Sequence, residues 1–421
     1  MTTDRLESLM TFHPFTRLGK LLESVQPGGG NTPLALSVGE PQFTPPAEVA
    51  RIIHDQAGLW GKYPLATGTE AFRKAVAAWL ARRFQLPAGM IDAEKHIVPV
   101  AGTREALFHI ALSAVPETGA GEAKPIVLMP NPFYHVYAGA AAAAGAEPYF
   151  LDATAETGFL PDIDAIPEAI LKRTCLAYLC SPANPQGATA RLEDLKRWLA
   201  LARRHDFVLA SDECYSEIYR GVPPHGALEA ARDLGGPNDS KSLDHLIVFH
   251  SLSKRSSGAG LRSGFVAGDA RLMQRQVQLI NFGGVAQPYP ILAAATQLWQ
   301  DEVHVERYRA LYQENFELAQ QILGPIFGEV RAAGGFFLWL DVGDGEAAAK
   351  ALWAEAAIRV LPGGYMARPD AQGRNPGAAY IRVALVLEPE LMAPALKRMA
   401  PILARVAAQH RSLSATRSRV V

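Results

Sequence analysis

The 421-residue chain has few cysteines, and this scarcity argues against a fold that is built on disulfides. The three cysteines, Cys175, Cys180 and Cys214, are odd in number and form no CxxC pair. Cysteines of this kind in apolar surroundings indicate reduced, buried thiols in a reducing compartment. The start of the chain, MTTDRLESLM, has acidic residues and no apolar region of the kind that a secretory signal needs. We therefore expect a cytoplasmic protein.

The sequence also lacks an excess of charge and a long hydrophobic run. The formal net charge is −1 at pH 7, so the chain has no strong positive field of the kind that nucleic acids and anionic membranes attract. The most apolar stretch, residues 138–148, is shorter than the roughly 20 residues that span a bilayer. The histidines show no metal-ligand spacing, and no GxxxxGKS/T loop occurs. We expect small-molecule substrates, with no nucleic acid, membrane or metal.

Short apolar runs alternate with helical patterns along most of the chain. The runs predict strands at residues 96–100, 125–129, 148–152, 175–180, 207–211, 246–250 and 263–268. Between them, apolar spacing predicts helices over 103–115 and 192–205, and the alanine run 138–144 predicts a helix that Gly145 closes. This alternation is typical of an α/β fold, with a mostly parallel sheet sandwiched by helices.

Beyond about residue 290 the pattern changes to that of a smaller α+β domain. It predicts a helix over 301–323, a strand within 334–342, a helix from Glu346, and a pair of strands at 358–362 and 379–385. Helices and strands in that order are typical of a small α+β unit.

The chain is therefore predicted to have two domains and a joining segment. A large domain would cover residues 46–290 and a C-terminal small domain residues 291–421, while residues 1–45 would join the small domain. The Pro/Gly-rich residues 27–46 have no periodic core signal, and we expect them to wrap between the two domains.

The residues that could take part in binding or catalysis follow the ends of the predicted strands. In an open parallel sheet, ligands bind beyond the carboxyl ends of the strands. Polar or aromatic side chains follow five of these strands: Thr103 and Arg104, Tyr134, Asn184, Asp212, and Lys254 with Ser251, Ser253 and Arg262. Each turn alone is ordinary, but the combination points to one binding site.

Asp212 and Lys254 are the most informative of these residues. A carboxylate at the end of an apolar strand is costly unless it is paired, so we expect a cation opposite Asp212. Lys254 is either the partner of a structural ion pair or a reactive amine, because a buried lysine has a lowered pKa and becomes nucleophilic. The neighbouring hydroxyls and Arg262 suit a phosphate dianion. Together the strand ends match pyridoxal phosphate, which needs an amine for its aldehyde, a stacking ring, an acid for its pyridine nitrogen, donors for its phenolate oxygen and a phosphate site.

In its motifs the sequence resembles the fold-type I pyridoxal-phosphate aminotransferases, the aspartate aminotransferase superfamily, over nearly the whole chain. The motifs are SVGEP (37–41), YPLATGTEAFRKAV (63–76), AGTREAL (101–107), NPFYHVY (131–137), SPANPQGA (181–188), SDECYSEIY (211–219), SLSKR…LRSG (251–264) and YIRVAL (380–385). The resemblance implies the fold of that family, an aminotransferase activity that depends on pyridoxal phosphate, and a homodimer.

The resemblance also implies roles for the residues that match its motifs. Lys254 would hold the cofactor covalently and move a proton between the substrate Cα and C4′ of the cofactor. Asp212 would pair with the protonated pyridine nitrogen, while Asn184 and Tyr215 would hydrogen-bond the phenolate oxygen. Tyr134 would stack on the cofactor ring.

A second group of residues is implied to bind the phosphate and the substrate. The phosphate would be held by Gly102, Thr103, Arg104, Ser251, Ser253 and Arg262, with Tyr63 contributed across the interface of the homodimer. Arg382 would bind the substrate α-carboxylate, next to Asn184, and Gly39 would let the backbone approach the substrate. The pattern alone does not decide whether Arg382 points inward, and Arg104 in the first turn of a helix could equally be solvated.

Within the superfamily, residues 131–162, 211–219, 248–269 and 360–368 are similar to the N-succinyldiaminopimelate aminotransferases of proteobacteria. The similarity implies amino-group exchange between glutamate and N-succinyl-2-amino-6-oxopimelate in lysine and diaminopimelate biosynthesis. Two loops depart from the pattern: residues 257–259 read SGA in place of an Asn-Val-Pro-like segment, and residues 184–187 read NPQG in place of NPTG. Both departures leave the chemical residues in place.

Other functions stay open at this stage. An aminotransferase of the aspartate, alanine or acetylornithine type would use the same residues, and so would a pyridoxal-phosphate-dependent β-lyase. A regulator that uses this fold as an effector sensor is disfavoured, because the residues before the wrapping segment are few and not basic. For a distal carboxylate of the substrate, Arg17 and Arg368 are candidates that no motif supports.

Overall fold

A seven-stranded sheet forms the centre of the larger part of the molecule. The computed structural model describes residues 13–28, 30–119, 121–235 and 241–417. Within these ranges the strands are β1 (Leu34–Ala35), β2 (Ile97–Val100), β3 (Ile126–Asn131), β4 (Glu147–Asp152), β5 (Thr174–Cys180), β6 (Val208–Asp212), β7 (Leu246–Ser251), β8 (Gly264–Gly268), β9 (Phe337–Asp341), β10 (Ile358–Arg359), β11 (Leu361–Pro362) and β12 (Tyr380–Ala384). The large sheet has the order β2-β8-β7-β6-β5-β3-β4, in which β8 runs antiparallel to β2 and β7 and the other pairs are parallel.

Helices cover both faces of this sheet. In the same ranges they are α1 (Pro14–Leu22), α2 (Glu48–Asp55), α3 (Glu70–Arg83), α4 (Thr103–Ala114), α5 (His135–Ala143), α6 (Glu168–Leu171), α7 (Leu192–His205), α8 (Ala227–Leu234), α9 (Leu252–Arg255), α10 (Ala270–Phe282), α11 (Tyr289–Gln300), α12 (Val303–Phe327), α13 (Gly345–Ala356) and α14 (Pro389–Arg417). The predicted helix 192–205 is observed with the same bounds. The helix predicted at the alanine run begins earlier, at His135, and ends before Gly145, whose φ of +83° needs a glycine.

The apolar runs form strands because both faces of the large sheet are buried. In β3, Ile126 and Leu128 pack into the core on one face, while Val127 and Met129 pack into the core on the other. A strand between two helix layers therefore reads as a continuous apolar run. The predicted α/β class, with a mostly parallel sheet sandwiched by helices, is confirmed.

A smaller sheet with its own core follows, with the antiparallel order β11-β12-β9. The stretch 358–362 was expected to be one strand, but it is divided, because β10 pairs in parallel with β1 while β11 pairs with β12. The N-terminal segment causes this division, since the N–H of Leu36 bonds to the carbonyl of Arg359 and its carbonyl accepts from Ala384. β1 and β10 thus form a two-stranded sheet of their own, which the bond between Leu36 and Ala384 links to β12. The domain limits near residues 45 and 290 stay a prediction.

Cys175, Cys180 and Cys214 are free thiols. In the described ranges, no three His, Cys, Asp or Glu side chains come together in a way that could hold a metal ion. None of the helices described there combines the length and apolarity needed to cross a membrane.

Candidate active site

A cavity of about 520 Å³ opens at the carboxyl ends of the strands of the large sheet, and we call it the cleft. It is lined by most of the predicted site residues: Gly39, Thr103, Arg104, Tyr134, Asn184, Asp212, Tyr215, Ser251, Ser253, Lys254, Arg262 and Arg382. They come from segments that are hundreds of residues apart, so the fold and not the local sequence assembles the site. Gly102 and Tyr63 are the predicted residues outside this lining.

Lys254 lies in the short helix α9, directly after β7, on the wall of the cleft. Burial lowers the pKa of its amine to about 8, with the positive charge of Arg382 acting in the same direction. The amine Nζ donates a hydrogen bond to the backbone carbonyl of Gly39. A lysine with this pKa is neutral in a sizeable fraction of molecules at neutral pH, so it can act as a nucleophile or a base.

Asp212 is the last residue of β6 and is 4% exposed. Its Oδ2 accepts a 2.6 Å hydrogen bond from the hydroxyl of Tyr137, and its Oδ1 accepts from the backbone N–H of Cys214 at 3.2 Å. Burial raises the pKa of this carboxyl group, while these hydrogen bonds oppose the shift. They favour the ionised form because a carboxylate accepts them more strongly than the neutral acid.

Among the described residues, no lysine or arginine is the cation that was expected opposite Asp212. In the part of the chain that the structure describes, no such nitrogen lies within 4.0 Å of the carboxylate. The ion pair between Lys254 and Asp212, which was the structural alternative for both residues, is therefore not formed. A buried carboxylate without a protein cation is suited to a cationic ligand.

Gly102 and Arg262 are in direct contact beside the cleft. Gly102 has a φ of +90°, and a Cβ at this position would lie 2.1 Å from Nη2 of Arg262. The guanidinium of Arg262 donates from Nη1 to the carbonyl of Ala259 at 2.9 Å and from Nη2 to the carbonyl of Ala101 at 3.4 Å. Gly102 is thus needed both for its backbone conformation and for the space that Arg262 occupies.

The N-terminus of α4 lies next to this guanidinium. Thr103 is the first residue of the helix and lines the cleft, and its Oγ1 lies 3.1 Å from Sγ of Cys214. Ser251 lies beside Thr103, since both approach Gly264, and its Oγ accepts from the backbone N–H of Ser253 at 3.1 Å. Free N–H groups at a helix N-terminus, hydroxyls and an arginine form a site suited to a phosphate.

Arg382 points inward from β12 and is 5% exposed, which settles the direction that the sequence pattern left open. Its Nη1 donates to Oδ1 of Asn184 at 2.8 Å, and its Nη2 donates to the carbonyl of Ser37 at 2.7 Å. Burial lowers the pKa of the guanidinium to about 10, so it stays charged at neutral pH. Because Asn184 accepts through its oxygen, its amide NH2 is the group that can donate to a ligand.

The aromatic side chains of the cleft are held by neighbouring groups. The hydroxyl of Tyr134 accepts a 3.0 Å hydrogen bond from Nε of Arg104, which places this arginine beside the ring and not only in solvent. Tyr215 packs edge-on against the rings of Phe336 and Phe337, at 5.4 and 5.8 Å between centroids. Burial raises the pKa of Tyr215 well above its usual value, so its hydroxyl is protonated and can donate.

Tyr63 lies on the surface, with its side chain 99% exposed. It does not reach the cleft of its own chain. Its predicted contribution to the phosphate across a homodimer interface stays a prediction.

Sequence reasoning missed Tyr137, whose hydroxyl bonds to Asp212. Tyr137 is three residues after Tyr134 at the start of α5, and its ring stacks on Tyr178 at 4.4 Å. The spacing of two tyrosines on one helical turn was the available signal. His135 and Phe337 also line the cleft without having been predicted.

Pyridoxal phosphate fits this donor set. Asp212 is a buried acceptor suited to a protonated pyridine nitrogen, and Lys254 is an amine of lowered pKa suited to the aldehyde. The N-terminus of α4 and Arg262 carry donors that would suit the phosphate. Fold and site together define a pyridoxal-phosphate-dependent enzyme of fold type I.

Comparison with known proteins narrows this class. The sequence matches the family "Aminotransferase class I and II" over residues 31–399. The chain belongs to this family of pyridoxal-phosphate-dependent aminotransferases.

Individual relatives share most of the chain. The LL-diaminopimelate aminotransferase of Aquifex aeolicus (strain VF5) is 32% identical over 349 residues, which cover 80% of this chain and 82% of that protein. The 4-dedimethylamino-4-oxo-anhydrotetracycline transaminase OxyQ of Streptomyces rimosus is 32% identical over 365 residues, with coverages of 86% and 92%. The crystal structure of an aminotransferase from Neisseria meningitidis Z2491 is similar with a TM-score of 0.86 at 39% identity, covering 93% of this chain and 97% of that one.

Proposed function

We propose that this aminotransferase exchanges the amino group of glutamate with the keto group of N-succinyl-2-amino-6-oxopimelate, as part of lysine and diaminopimelate biosynthesis in the cytoplasm. The observation that carries the proposal is the presence of Lys254 and Arg382 in one cleft. An amine of lowered pKa and a buried guanidinium are the two groups that a reaction at the α-carbon of an amino acid requires.

The choice of substrate rests on two similarities of the sequence. The stretches around the cleft resemble N-succinyldiaminopimelate aminotransferases, and a relative of high coverage is named for LL-diaminopimelate. Both names share the seven-carbon diaminopimelate skeleton. The transaminase OxyQ has the same 32% identity to this chain, but it is named for a very different substrate. The degree of identity alone therefore does not identify the substrate.

The cleft residues that face the reacting carbon are proposed to bind the substrate and move its proton. Pyridoxal phosphate, when bound, supplies an electron sink that makes the Cα–H of the substrate acidic. Arg382 binds the α-carboxylate through its guanidinium, beside Gly39, and so fixes the orientation of the Cα–H bond. Lys254 accepts the proton from Cα and later donates it, which a pKa of about 8 permits near neutral pH.

The remaining residues are proposed to hold the cofactor. Asp212 would keep the pyridine nitrogen protonated, and Asn184 and Tyr215 would donate hydrogen bonds to the phenolate oxygen. Tyr134 would lie against the ring. The phosphate would be held by Gly102, Thr103, Arg104, Ser251, Ser253 and Arg262.

We also propose that the protein is a homodimer in which Tyr63 of each subunit reaches the phosphate of the other. Large apolar side chains near Tyr63 and elsewhere on the surface support this proposal: Trp60 is 53% exposed, Leu65 62% and Phe282 93%. Trp60 and Leu65 are near Tyr63 in the sequence, and grouped exposed apolar side chains are more typical of an interface than single ones. Sedimentation of the holoenzyme is expected to give a dimer, and a monomer would contradict the proposal.

A panel of amino donors tests the proposed function. The holoenzyme is mixed with N-succinyl-LL-diaminopimelate, LL-diaminopimelate, N-acetylornithine, aspartate, alanine or glutamate, and conversion of the cofactor to its aminated form is followed by absorbance. We expect the largest kcat/KM for N-succinyl-LL-diaminopimelate and clear conversion by glutamate.

Each other outcome is informative. A large preference for LL-diaminopimelate without the succinyl group would replace the proposed substrate by that of the named relative. A preference for N-acetylornithine or aspartate would contradict a diaminopimelate-type substrate altogether. Absence of conversion by any donor, glutamate included, would favour the β-lyase alternative. Lys254→Ala serves as the control, because it should show no conversion with any donor.

A further inference from the structure

A second cavity of about 530 Å³ adjoins the cleft, and we call it the side cavity. Three residues, Arg104, His135 and Arg262, line both cavities, so the two cavities adjoin along these side chains. Arg262 is already proposed to bind the phosphate. Arg368 lines the side cavity but not the cleft.

The walls of the side cavity combine apolar surface with positive charge. Phe108, Val136 and Ala138 contribute apolar surface. Arginines outnumber acidic residues in the lining. In the described part of the chain, Glu105 is the one acidic residue that lines the cavity. The Glu105 carboxylate already accepts a 3.0 Å hydrogen bond from the backbone N–H of Val285. Such a site suits an aliphatic chain that ends in an anion.

Arg368 is held in place by its backbone. Its N–H donates to Oδ1 of Asn131 at 2.9 Å, and its carbonyl accepts from Nδ2 of the same residue at 2.9 Å. Asn131 is the last residue of β3 and also donates to Asp152 at 2.8 Å, so the anchor belongs to the large sheet. The guanidinium lies 5.1 Å over the ring of Phe133, which itself lines the cleft. The charge is thus carried by a rigid element next to the substrate site.

The field in this region is positive. His135 faces His13 at 4.9 Å between ring centroids, and the side chains of Arg104 and Arg382 are close enough to act on it. Burial is the main cause that lowers the pKa of His135 to about 4, and the neighbouring His13, Arg104 and Arg382 act in the same direction. An anion in the side cavity would meet several positive groups and would be stabilised by them.

Arg17, the other candidate for a distal carboxylate, is close enough to Arg368 to help lower the pKa of that guanidinium, after burial, but it contacts other groups. Its guanidinium stacks 3.9 Å over the ring of Tyr365, and its Nη2 is 4.0 Å from the carboxylate of Glu346. It lines neither the cleft nor the side cavity.

We propose that the side cavity is the subsite for a second carboxylate of the substrate, at the end of an aliphatic chain of several carbons, and that Arg368 is its principal ligand. This inference rests on the proposed function in one respect, namely that Arg382 anchors the α-carboxylate in the cleft. It adds the class of substrate, namely amino acids with a distal carboxylate. Short monocarboxylic amino acids such as alanine have no group that could bind Arg368.

The test uses pimelate and heptanoate, two seven-carbon acids that differ by one carboxylate and carry no amino group. Their binding to the holoenzyme is measured by calorimetry. We expect pimelate to bind at least about tenfold more tightly than heptanoate, since a charge-assisted pair with an arginine contributes this much. Arg368→Gln should remove this advantage, and Arg368→Lys should restore part of it.

Arg374→Gln is the matched control. Arg374 is in the same loop as Arg368, between β11 and β12. Its side chain is 80% exposed, and it pairs with Asp370 at 2.7 Å outside both cavities. This variant should bind pimelate like the wild type. Equal binding of the two acids to the wild type, or an unchanged preference in Arg368→Gln, would overturn the proposal.

The outcome is separable from that of the donor panel, because neither acid is a substrate. If N-succinyl-LL-diaminopimelate is not used but Arg368→Gln loses the preference for pimelate, the subsite stands and the proposed substrate fails. If the preference is absent while N-succinyl-LL-diaminopimelate is the best donor, the subsite fails and the proposed substrate stands.

Discussion

The hydroxyl of Tyr137 donates a 2.6 Å hydrogen bond to Oδ2 of Asp212, and both side chains are buried. This bond links α5, which begins directly after Tyr134, to the end of β6. Burial raises the pKa of Asp212, and the bond from Tyr137 counteracts that shift. Tyr137 is therefore a positioning residue for the carboxylate that is proposed to bind the pyridine nitrogen.

We expect Tyr137→Phe to weaken cofactor binding by about tenfold, because a hydrogen bond to a charged group contributes about 1.5–3 kcal/mol. Without this donor the ionised form of Asp212 is less favoured and its pKa rises further. The dissociation constant of pyridoxal phosphate, measured by titration of the apoprotein, reports the change.

Tyr178→Phe is a suitable control for that variant. Tyr178 is also buried and stacks on Tyr137, but its hydroxyl donates to the carbonyl of Leu107 at 2.7 Å. It should leave cofactor affinity near that of the wild type. An equal loss in both variants would mean that packing, and not the bond to Asp212, is responsible.

The rate at which the apoprotein captures pyridoxal phosphate should depend on the ionisation of Lys254. Its pKa of about 8 lies below the 10.5 of an ordinary lysine. The amine is mostly protonated below pH 8 and mostly neutral above it, so the rate of covalent capture should rise with pH around 8 and then level off. Stopped-flow absorbance gives this profile, and Lys254→Ala should give no covalent capture at any pH. A rise centred near 10.5 would show that the amine is not desolvated.

Gly102→Ala should damage the phosphate site. The new Cβ would lie 2.1 Å from Nη2 of Arg262 and would require a φ of +90°, which non-glycine residues rarely adopt. The guanidinium must then move away from the N-terminus of α4. We expect the affinity for pyridoxal phosphate to fall by about tenfold or more, because hydrogen bonds to a charged phosphate are lost. Binding of pyridoxal, which lacks the phosphate, should change much less.

Gly19→Ala separates this effect from a general response to replacing a glycine. Gly19 is inside α1, and a Cβ there would meet no atom within 4 Å. This variant should retain both affinities. A similar loss for pyridoxal and pyridoxal phosphate in Gly102→Ala would point to a damaged fold.

Much of this architecture could be predicted because its strands are buried on both faces. Continuous apolar runs therefore marked β3, β5 and β7 to within about two residues, and the polar residues after them marked the cleft. The direction of Arg382 could not be predicted, because a strand with one face on a core and one on a cleft shows no difference in residue type at that position.

Contacts between distant segments were also beyond the reach of pattern reasoning. The division of residues 358–362 into β10 and β11 depends on the backbone of Leu36, more than three hundred residues away. Asn131 anchors Arg368 because the loop between β11 and β12 packs against the end of β3. Neither segment carries a local signal of its partner.

Arg382→Lys should raise the KM for every amino donor while leaving the cofactor bound. The guanidinium of Arg382 uses separate nitrogens to contact Asn184 and Ser37, and a single ammonium group cannot reproduce this arrangement and also bind a carboxylate. Loss of one charge-assisted hydrogen bond of about 1.5–3 kcal/mol corresponds to an increase in KM of about tenfold or more. Steady-state kinetics with glutamate and with alanine measure it.

The two donors make this prediction specific to the α-carboxylate. Both carry that group, so Arg382→Lys should raise both KM values by similar factors, whereas Arg368→Gln should affect donors with a distal carboxylate and leave alanine unchanged. Arg359→Lys is the control, because Arg359 lies on β10 with its guanidinium 4.4 Å over the ring of Trp353, outside the cleft. If Arg382→Lys spared alanine, then Arg382 would bind a side chain and not the α-carboxylate, and the orientation of the substrate in the cleft would be reversed.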